Sequence, residues 1–379
     1  MHVRRSRLAA WLSAFALILA TAGCAQSAVS VGGTPDEQVQ QLLDQWRQRA
    51  DVPAVTLAVD GPGRSRFVTA SGTGERDGNT PATAGAQFRV ASITKLFVAT
   101  VVLQLVEEGQ LGLDDPVAAY IPDFRHARGV TIQQLLNHTN GIPDFTRTEH
   151  FHEGLLEHRD RVWSTDELLA LVADVRRDFP PGTDYLYCNT GYLLLGRVID
   201  TVTESTWAAE IRRRILDPLR LRHTYIAGAE PVAGGVLPGY ADADMDGDVE
   251  NVDPGGPWPS LESTEGPAGA IVSTAGDLAV FADALFRGRL LRPDTLQQMV
   301  ADGPHHPRNA NYGLGVEISR PDYRLTVWGH GGFTLGFKSA LWYVPEHDVV
   351  VVVLANDAGA NAADLAELVV RAEMARRDA

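Results

Sequence analysis

The stretch of residues 88–109, FRVASITKLFVATVVLQLVEEG, constrains this chain more than any other. Ser92 stands where an apolar run of helical period begins, Lys95 follows three residues later, and Gly109 closes the run as a helix stop. This spacing puts Ser92 and Lys95 on one helical face. Helical side chains lean back towards the N-terminus, which carries Lys95 towards the Ser92 hydroxyl. The flanking Ile93, Leu96, Phe97 and Val98 predict a buried setting, where an ammonium group has a depressed pKa. As a neutral amine, Lys95 can take the serine proton, and the helix N-terminus favours the negative charge that develops.

The basic residues support proton chemistry here. Of 33 Lys and Arg residues only Lys95 and Lys338 are lysines, so most positions that need a bare positive charge carry arginine, which a protein cannot deprotonate. A lysine kept beside Ser92 fits a group that must lose its proton.

Length and composition, with 45% hydrophobic and 21% charged residues, fit one large or two small globular domains. The net charge of −15 and the lack of a basic cluster beyond the first residues argue against a nucleic-acid partner. Arg4, Arg5 and Arg7 precede an apolar run at 8–20, the pattern of a secretory signal over residues 1–23 and too short for a comfortable membrane span. The expected location is extracytoplasmic. Thr21-Ala22-Gly23-Cys24 resembles a bacterial lipobox, which makes Cys24 a lipid anchor to the cell membrane; Ala20-Thr21-Ala22 read as a cleavage site gives a soluble secreted or periplasmic protein instead. The only other cysteine is Cys188, so a disulfide would have to join those two.

After a tether at 24–35, helical spacing runs over 36–50, and strands at 52–60 and 66–74 flank the turn Gly61-Pro62-Gly63. Helical segments at 131–136, 164–175 and 191–203 follow, broken by Pro and Gly. Strand patterns return at 312–318, 325–328, 338–344 and 349–354, before an amphipathic helix at 362–376. The expected fold is α/β (α+β): an antiparallel sheet flanked by helices from residues 36–110 and 262–379, with a mostly helical second lobe from 111–261 and a site in the cleft between them.

Several motifs in this order resemble the serine β-lactamase and penicillin-binding superfamily, closest to class C β-lactamases, D-alanyl-D-alanine carboxypeptidases and related esterases. They are Ser92-Ile-Thr-Lys95, Leu113-Asp-Asp-Pro116, Leu135-Leu-Asn-His-Thr-Asn-Gly141, Phe179-Pro-Pro-Gly-Thr183, Tyr187-Cys-Asn189 with Gly191-Tyr-Leu-Leu-Leu-Gly196, Asp217-Pro-Leu219, Gly269-Ala-Ile-Val-Ser-Thr274 with Asp277, Tyr312-Gly-Leu-Gly315 and His330-Gly-Gly332. The resemblance implies the β-lactamase/transpeptidase-like fold and an exported serine hydrolase that forms an acyl-enzyme on an ester, an amide or a D-amino-acid peptide, without a cofactor. Ser92 is then the nucleophile. Lys95 and Tyr187 are rival bases, and Asn189, on the same side of an extended segment as Tyr187, orients Lys95 and a substrate amide. His330 supplies a hydrogen-bond donor or positive charge, the backbone N–H groups of Ser92 and Phe333 form an oxyanion hole, and Gly331 and Gly332 let substrate lie against the strand.

Gly331 and Phe333 stand where carboxypeptidase relatives carry carboxylate-binding threonines, which weakens the match to D-alanyl-D-alanine. Phe333 and Phe337 are expected to make the rim apolar, suiting an ester or small amide. The alternative is a catalytically idle envelope-binding lipoprotein of the same fold. Cys188 reads as a buried small residue. The acidic run from Asp242 to Asp253 resembles a calcium loop, but its twelfth position is Asp253 where glutamate is preferred. His150, His152 and His158 lack a metal-ligand framework, so no metal is assigned. His138 reads as a turn-pinning hydrogen-bonder, Arg212-Arg213-Arg214 as a solvated helix face, and Lys338 as a strand-edge residue.

Overall fold

The structure, a computed structural model, describes residues 33–149, 151, 158–242, 246–303, 305–306, 310–321 and 325–378. The signal sequence, Cys24, most of the tether, His150, His152 and part of the acidic 242–253 run lie outside the described residues. Thr34 opens the first helix, Pro35–Ala50, by exchanging hydrogen bonds with Glu37, and Pro35 occupies the first turn, where no amide partner is required. Asp51, in the left-handed conformation, ends it. Val39, Leu43 and Trp46 form its buried stripe.

The main sheet has eight strands, in the order Arg64–Gly72, Ala54–Gly61, Val349–Ala355, Phe337–Val344, Val327–Thr334, Glu317–Ser319, Ala310–Tyr312 and His305–His306, with every neighbouring pair antiparallel. Strand alternation sends Val350, Val352 and Leu354 into one core with Phe97 and Phe281, and Val349, Val351 and Val353 into the other with Val39, Leu43 and Val369. Helices Pro35–Ala50 and Ala362–Asp378 therefore cover one face, and Thr94–Glu107 and Ala275–Phe286 cover the other. A centre buried on both sides explains how an antiparallel strand can read VVVVVLA with no polar residue.

Several expectations need correction. The strand expected at 312–318 is two strands, because the chain turns through Gly315, whose φ is +82° and whose N–H donates to the Leu136 carbonyl. The strand expected at 325–328 runs on to Thr334, past glycines that dilute its apolar pattern. Asn189 starts the helix Asn189–Thr203, so it does not lie in an extended segment, whereas Cys188 before it is extended. Residues 111–261 include strands as well, among them Tyr225–Ile226, which joins Phe88–Arg89 and Ile271–Ser273 in a three-stranded sheet. Lys338 sits in an interior strand with its ammonium 4.1 Å from the Phe333 ring centroid. Arg212, Arg213 and Arg214 all hold carboxylates, and the half-buried Arg214 bridges Glu108 and Glu210.

Asp253 is buried and accepts from Arg89 at 2.6 Å, so the twelfth position of the calcium-like run is already occupied by a guanidinium. Among the described residues no group of His, Cys, Asp and Glu is arranged to hold a metal. Arg89 ties the strand leading to Ser92 to the Gly239–Ala241 and Glu250–Asp253 hairpin. Replacing Arg89 by Met is expected to leave Asp253 as an uncompensated buried charge and to destabilise the protein by about 3–5 kcal/mol, read as a lower urea midpoint, while adding Asp253→Leu restores most of the loss.

Candidate active site

The chain approaches Ser92 through Phe88–Arg89, whose partner strand Ile271–Ser273 also accepts the Val90 N–H at the Ile271 carbonyl. Ala91 then adopts φ +50°, a left-handed conformation costly for a residue with a Cβ, and Ala91–Ile93 forms a 3-10 turn before the helix Thr94–Glu107. The Ile271 N–H donates to Thr94 Oγ1 at 3.1 Å and fixes the first turn of that helix. Ser92 is left at a helix entry with its side chain partly exposed.

Lys95 is fully buried, and its Nζ lies 3.0 Å from Ser92 Oγ, 2.9 Å from Asn189 Oδ1 and 2.7 Å from the Ala268 carbonyl. Its amine also lies 4.9 Å from the Tyr187 ring centroid and 5.3 Å from that of Tyr192. Burial pulls its pKa down to about 7, against the opposing pull of Asp144 and Glu265. At neutral pH a substantial fraction of Lys95 is the free amine.

Asp144, which sequence reasoning missed, and His138, read there only as pinning its turn, hold the opposite wall. Asp144 accepts from the Asn189 backbone N–H at 2.7 Å and from Asn189 Nδ2 at 3.1 Å, which turns Asn189 Oδ1 to Lys95. His138, left-handed at φ +60°, accepts the Cys188 N–H at Nδ1 and packs its ring, tilted by 39°, with its centroid 4.3 Å from that of Tyr187. It thereby positions the tyrosine as well as pinning its own turn. Cys188 is buried with Sγ 3.2 Å from the Ile142 carbonyl, and burial raises its thiol pKa far above neutrality. Tyr187 is likewise raised well above its ordinary value by burial, and a hydrogen bond with Ser92 lowers it less. A neutral phenol, able to pass on a proton, is the form the site favours.

The strand Val327–Thr334 closes the other side. A Cβ on Gly332 would come within 2.3 Å of the Val90 carbonyl and 2.1 Å of Ser339 Oγ, so this glycine lets the strand pack against the Ser92 turn, which differs from the expected approach of substrate. Gly331 donates its N–H to Glu317 at 3.1 Å. His330 is buried: its Nδ1 lies 2.5 Å from the Gly331 carbonyl, which can only accept, so Nε2 of the neutral ring accepts from the Tyr312 hydroxyl at 2.9 Å. Burial lowers the His330 pKa, so the expected positive charge is absent near neutrality. Phe337 packs edge-on against Phe88 in the core and does not form the rim.

A cavity of about 90 Å³ opens between these walls, with Ser92, Asn189 and Glu265 as polar lining and Phe145, Phe151, Leu261, Phe333 and Leu335 as apolar lining. It is smaller than the roughly 300–1,000 Å³ of sites that enclose drug-sized ligands, so it takes the groups nearest the scissile bond while the rest of a substrate stays outside. Glu265, a further residue that sequence reasoning passed over, has its carboxyl pKa raised to about 7, first by burial, although Thr334 donates a hydrogen bond to it. The one signal for it was its place four residues before the Gly269-Ala-Ile-Val-Ser-Thr274 motif, and Asp144 likewise lies three residues after Gly141.

A sequence model of the Beta-lactamase family matches residues 39–375. Penicillin-binding protein 4 of Amycolatopsis lactamdurans is 30% identical over 338 residues, covering 84% of each chain. The crystal structure of a D-stereospecific amidohydrolase from Streptomyces sp. superposes with a TM-score of 0.78 at 32% identity, covering 89% of this chain and 98% of that one. The D-amino acid amidase of Ochrobactrum anthropi SV3, complexed with L-phenylalanine amide, gives a TM-score of 0.80 at 28% identity, covering 90% and 99%. A buried lysine beside a helix-entry serine, on a sheet and helices shared with these proteins, has a family to stand in: the chain belongs to the β-lactamase family of serine hydrolases.

Proposed function

We propose that the protein is an exported hydrolase that cleaves a small amide or ester of a D-amino-acid type through an acyl-Ser92 intermediate. The observation that carries this reading is the 3.0 Å contact between Ser92 Oγ and the buried Lys95 amine. Lys95, with its pKa near 7, takes the proton as Ser92 Oγ attacks the carbonyl carbon. The charge on the carbonyl oxygen falls to the backbone N–H groups of Ser92 and Phe333, both at the cavity. Tyr187, held neutral, hands a proton to the departing amine or alcohol and regains it from Lys95, and a water molecule then releases the acyl group by the same steps in reverse.

The relatives are a D-stereospecific amidohydrolase and a D-amino acid amidase, which favours an amide next to a D-centre. The Gly331 and Phe333 replacements disfavour a free terminal carboxylate, and the cavity's apolar side suits an uncharged side chain. The idle alternative has no support from a site that keeps Ser92, Lys95, Tyr187 and Asn189 together. The basic and apolar N-terminal pattern supports export, and the lipobox-like Thr21-Ala22-Gly23-Cys24 supports a lipid on Cys24.

A fluorophosphonate probe is expected to label Ser92, and Ser92→Ala to abolish labelling and lower kcat/KM on p-nitrophenyl esters by about 10³-fold or more; labelling that survives the substitution contradicts the scheme. Because a base works only when deprotonated, kcat/KM on an uncharged ester should rise with pH to a plateau above about 7, falling roughly tenfold per unit below it. Lys95→Arg, which cannot lose its proton, should be inactive at every pH in that range. Mass spectrometry of the mature protein should find Cys24 as a lipid-bearing first residue, and Cys24→Ala should move the protein from the membrane to the soluble fraction; an unmodified terminus at another residue refutes the anchor.

A further inference from the structure

The cavity holds one ionisable group that the acyl transfer does not use. Glu265 lies on the segment Pro259–Gly269, and Gly266 after it breaks the helical path at φ +40°, ψ −131°. The break leaves Ala268 to accept from Lys95 and Glu265 to face the space in front of Ser92. Thr334, the residue after Phe333, donates its hydroxyl to Glu265 and fixes the carboxyl at the end of the strand that closes the cavity. Glu265 therefore lines the same cavity as Ser92 and Phe333, the residues expected to hold the carbonyl oxygen.

Nearby cations are engaged elsewhere. Arg89 contacts Asp253, Glu262 and the Gly256 carbonyl, while the three donors of Lys95 go to Ser92, Asn189 and Ala268. Both act on Glu265 only through space, and Asp253 opposes them. Their combined effect does not offset the cost of burying its negative charge. A cationic group placed in the cavity would supply that missing compensation.

We propose that Glu265 is the specificity-determining anchor for a primary ammonium group one carbon from the scissile carbonyl, with the apolar wall of Phe145, Phe151 and Leu261 taking the adjoining side chain. This deepens the hydrolase reading and rests on it for the direction of the substrate in the cavity. In this arrangement the substrate is a free α-amino amide or ester, and an N-acylated peptide end lacks the charge that Glu265 holds.

The test uses the full-length Ser92→Ala protein, which binds without turnover, and compares D-phenylalanine amide with N-acetyl-D-phenylalanine amide by calorimetry at pH 7. The α-ammonium, with an ordinary pKa of about 7.7–8.0, is mostly charged there. The parent should prefer the free amine, and adding Glu265→Gln should weaken it about tenfold or more while changing the acetylated ligand less than about twofold, with Glu265→Asp keeping part of the preference. Equal loss for both ligands, no loss for either, or no preference in the parent overturns the proposal. Thermal unfolding of the Glu265→Gln protein reports on its folding, and phosphonate labelling of Ser92 in the protein with native Glu265 reports separately on the hydrolase reading, because that reaction needs no ammonium.

Discussion

The site depends on the removal of water from one amine. Lys95 has no exposed surface, and the three oxygens around it come from a helix entry, a second helix and a backbone carbonyl. Those oxygens satisfy its hydrogen bonds without supplying a full adjacent negative charge, so desolvation outweighs the attractions and the pKa settles near 7. A salt bridge at the same place would have kept the proton on nitrogen. Asp144 is close enough to oppose the shift, yet it spans Asn189's backbone and side-chain amides, so the carboxylate orients a neutral acceptor and does not contact the cation.

The surrounding fold can be understood as what keeps that amine dry. The helix Thr94–Glu107 is buried almost all round, packed through the Phe97–Phe281 stack with ring centroids 3.6 Å apart and against the sheet face carrying Val350, Val352 and Leu354. A helix apolar on every face cannot be recognised by a stripe, and the buried lysine on its first turn is tolerated because its donors are all used. The left-handed Ala91 is the local strain that this packing sustains: a relaxed backbone there would turn Ser92 away from Val90, Gly332 and the strand that closes the cavity.

Sequence made legible what depends on local spacing. The Ser92–Lys95 pair and the capped first helix follow from helical spacing, the valine-rich strand follows from its short unbroken β-branched run, and the comparison with known proteins gives the same family that the ordered motifs resemble. Long-range registers stayed hidden. Phe337 is set in the core because its strand is covered on both faces, so alternation does not separate rim from interior. Asp144, His138 and Glu265 meet Tyr187, Asn189 and Thr334 only through tertiary contacts that no local pattern encodes. His330 kept its place in the motif, but its charge is decided by burial and by a Tyr312 hydroxyl from another strand.

The two ionisable groups of opposite sign at this cavity are also linked to each other. Glu265 favours the ammonium form of Lys95, and Lys95 favours the carboxylate form of Glu265, so each restrains the other from its uncharged state. A ligand cation that pairs with Glu265 neutralises the field that helps Lys95 keep its proton, and adds its own repulsion to the ammonium. Both effects push Lys95 towards the free amine, the form that accepts a proton from Ser92. On the proposed scheme, recognition of a positive charge and activation of the serine are one electrostatic event, and a substrate lacking that charge meets a smaller fraction of free amine as well as a weaker grip.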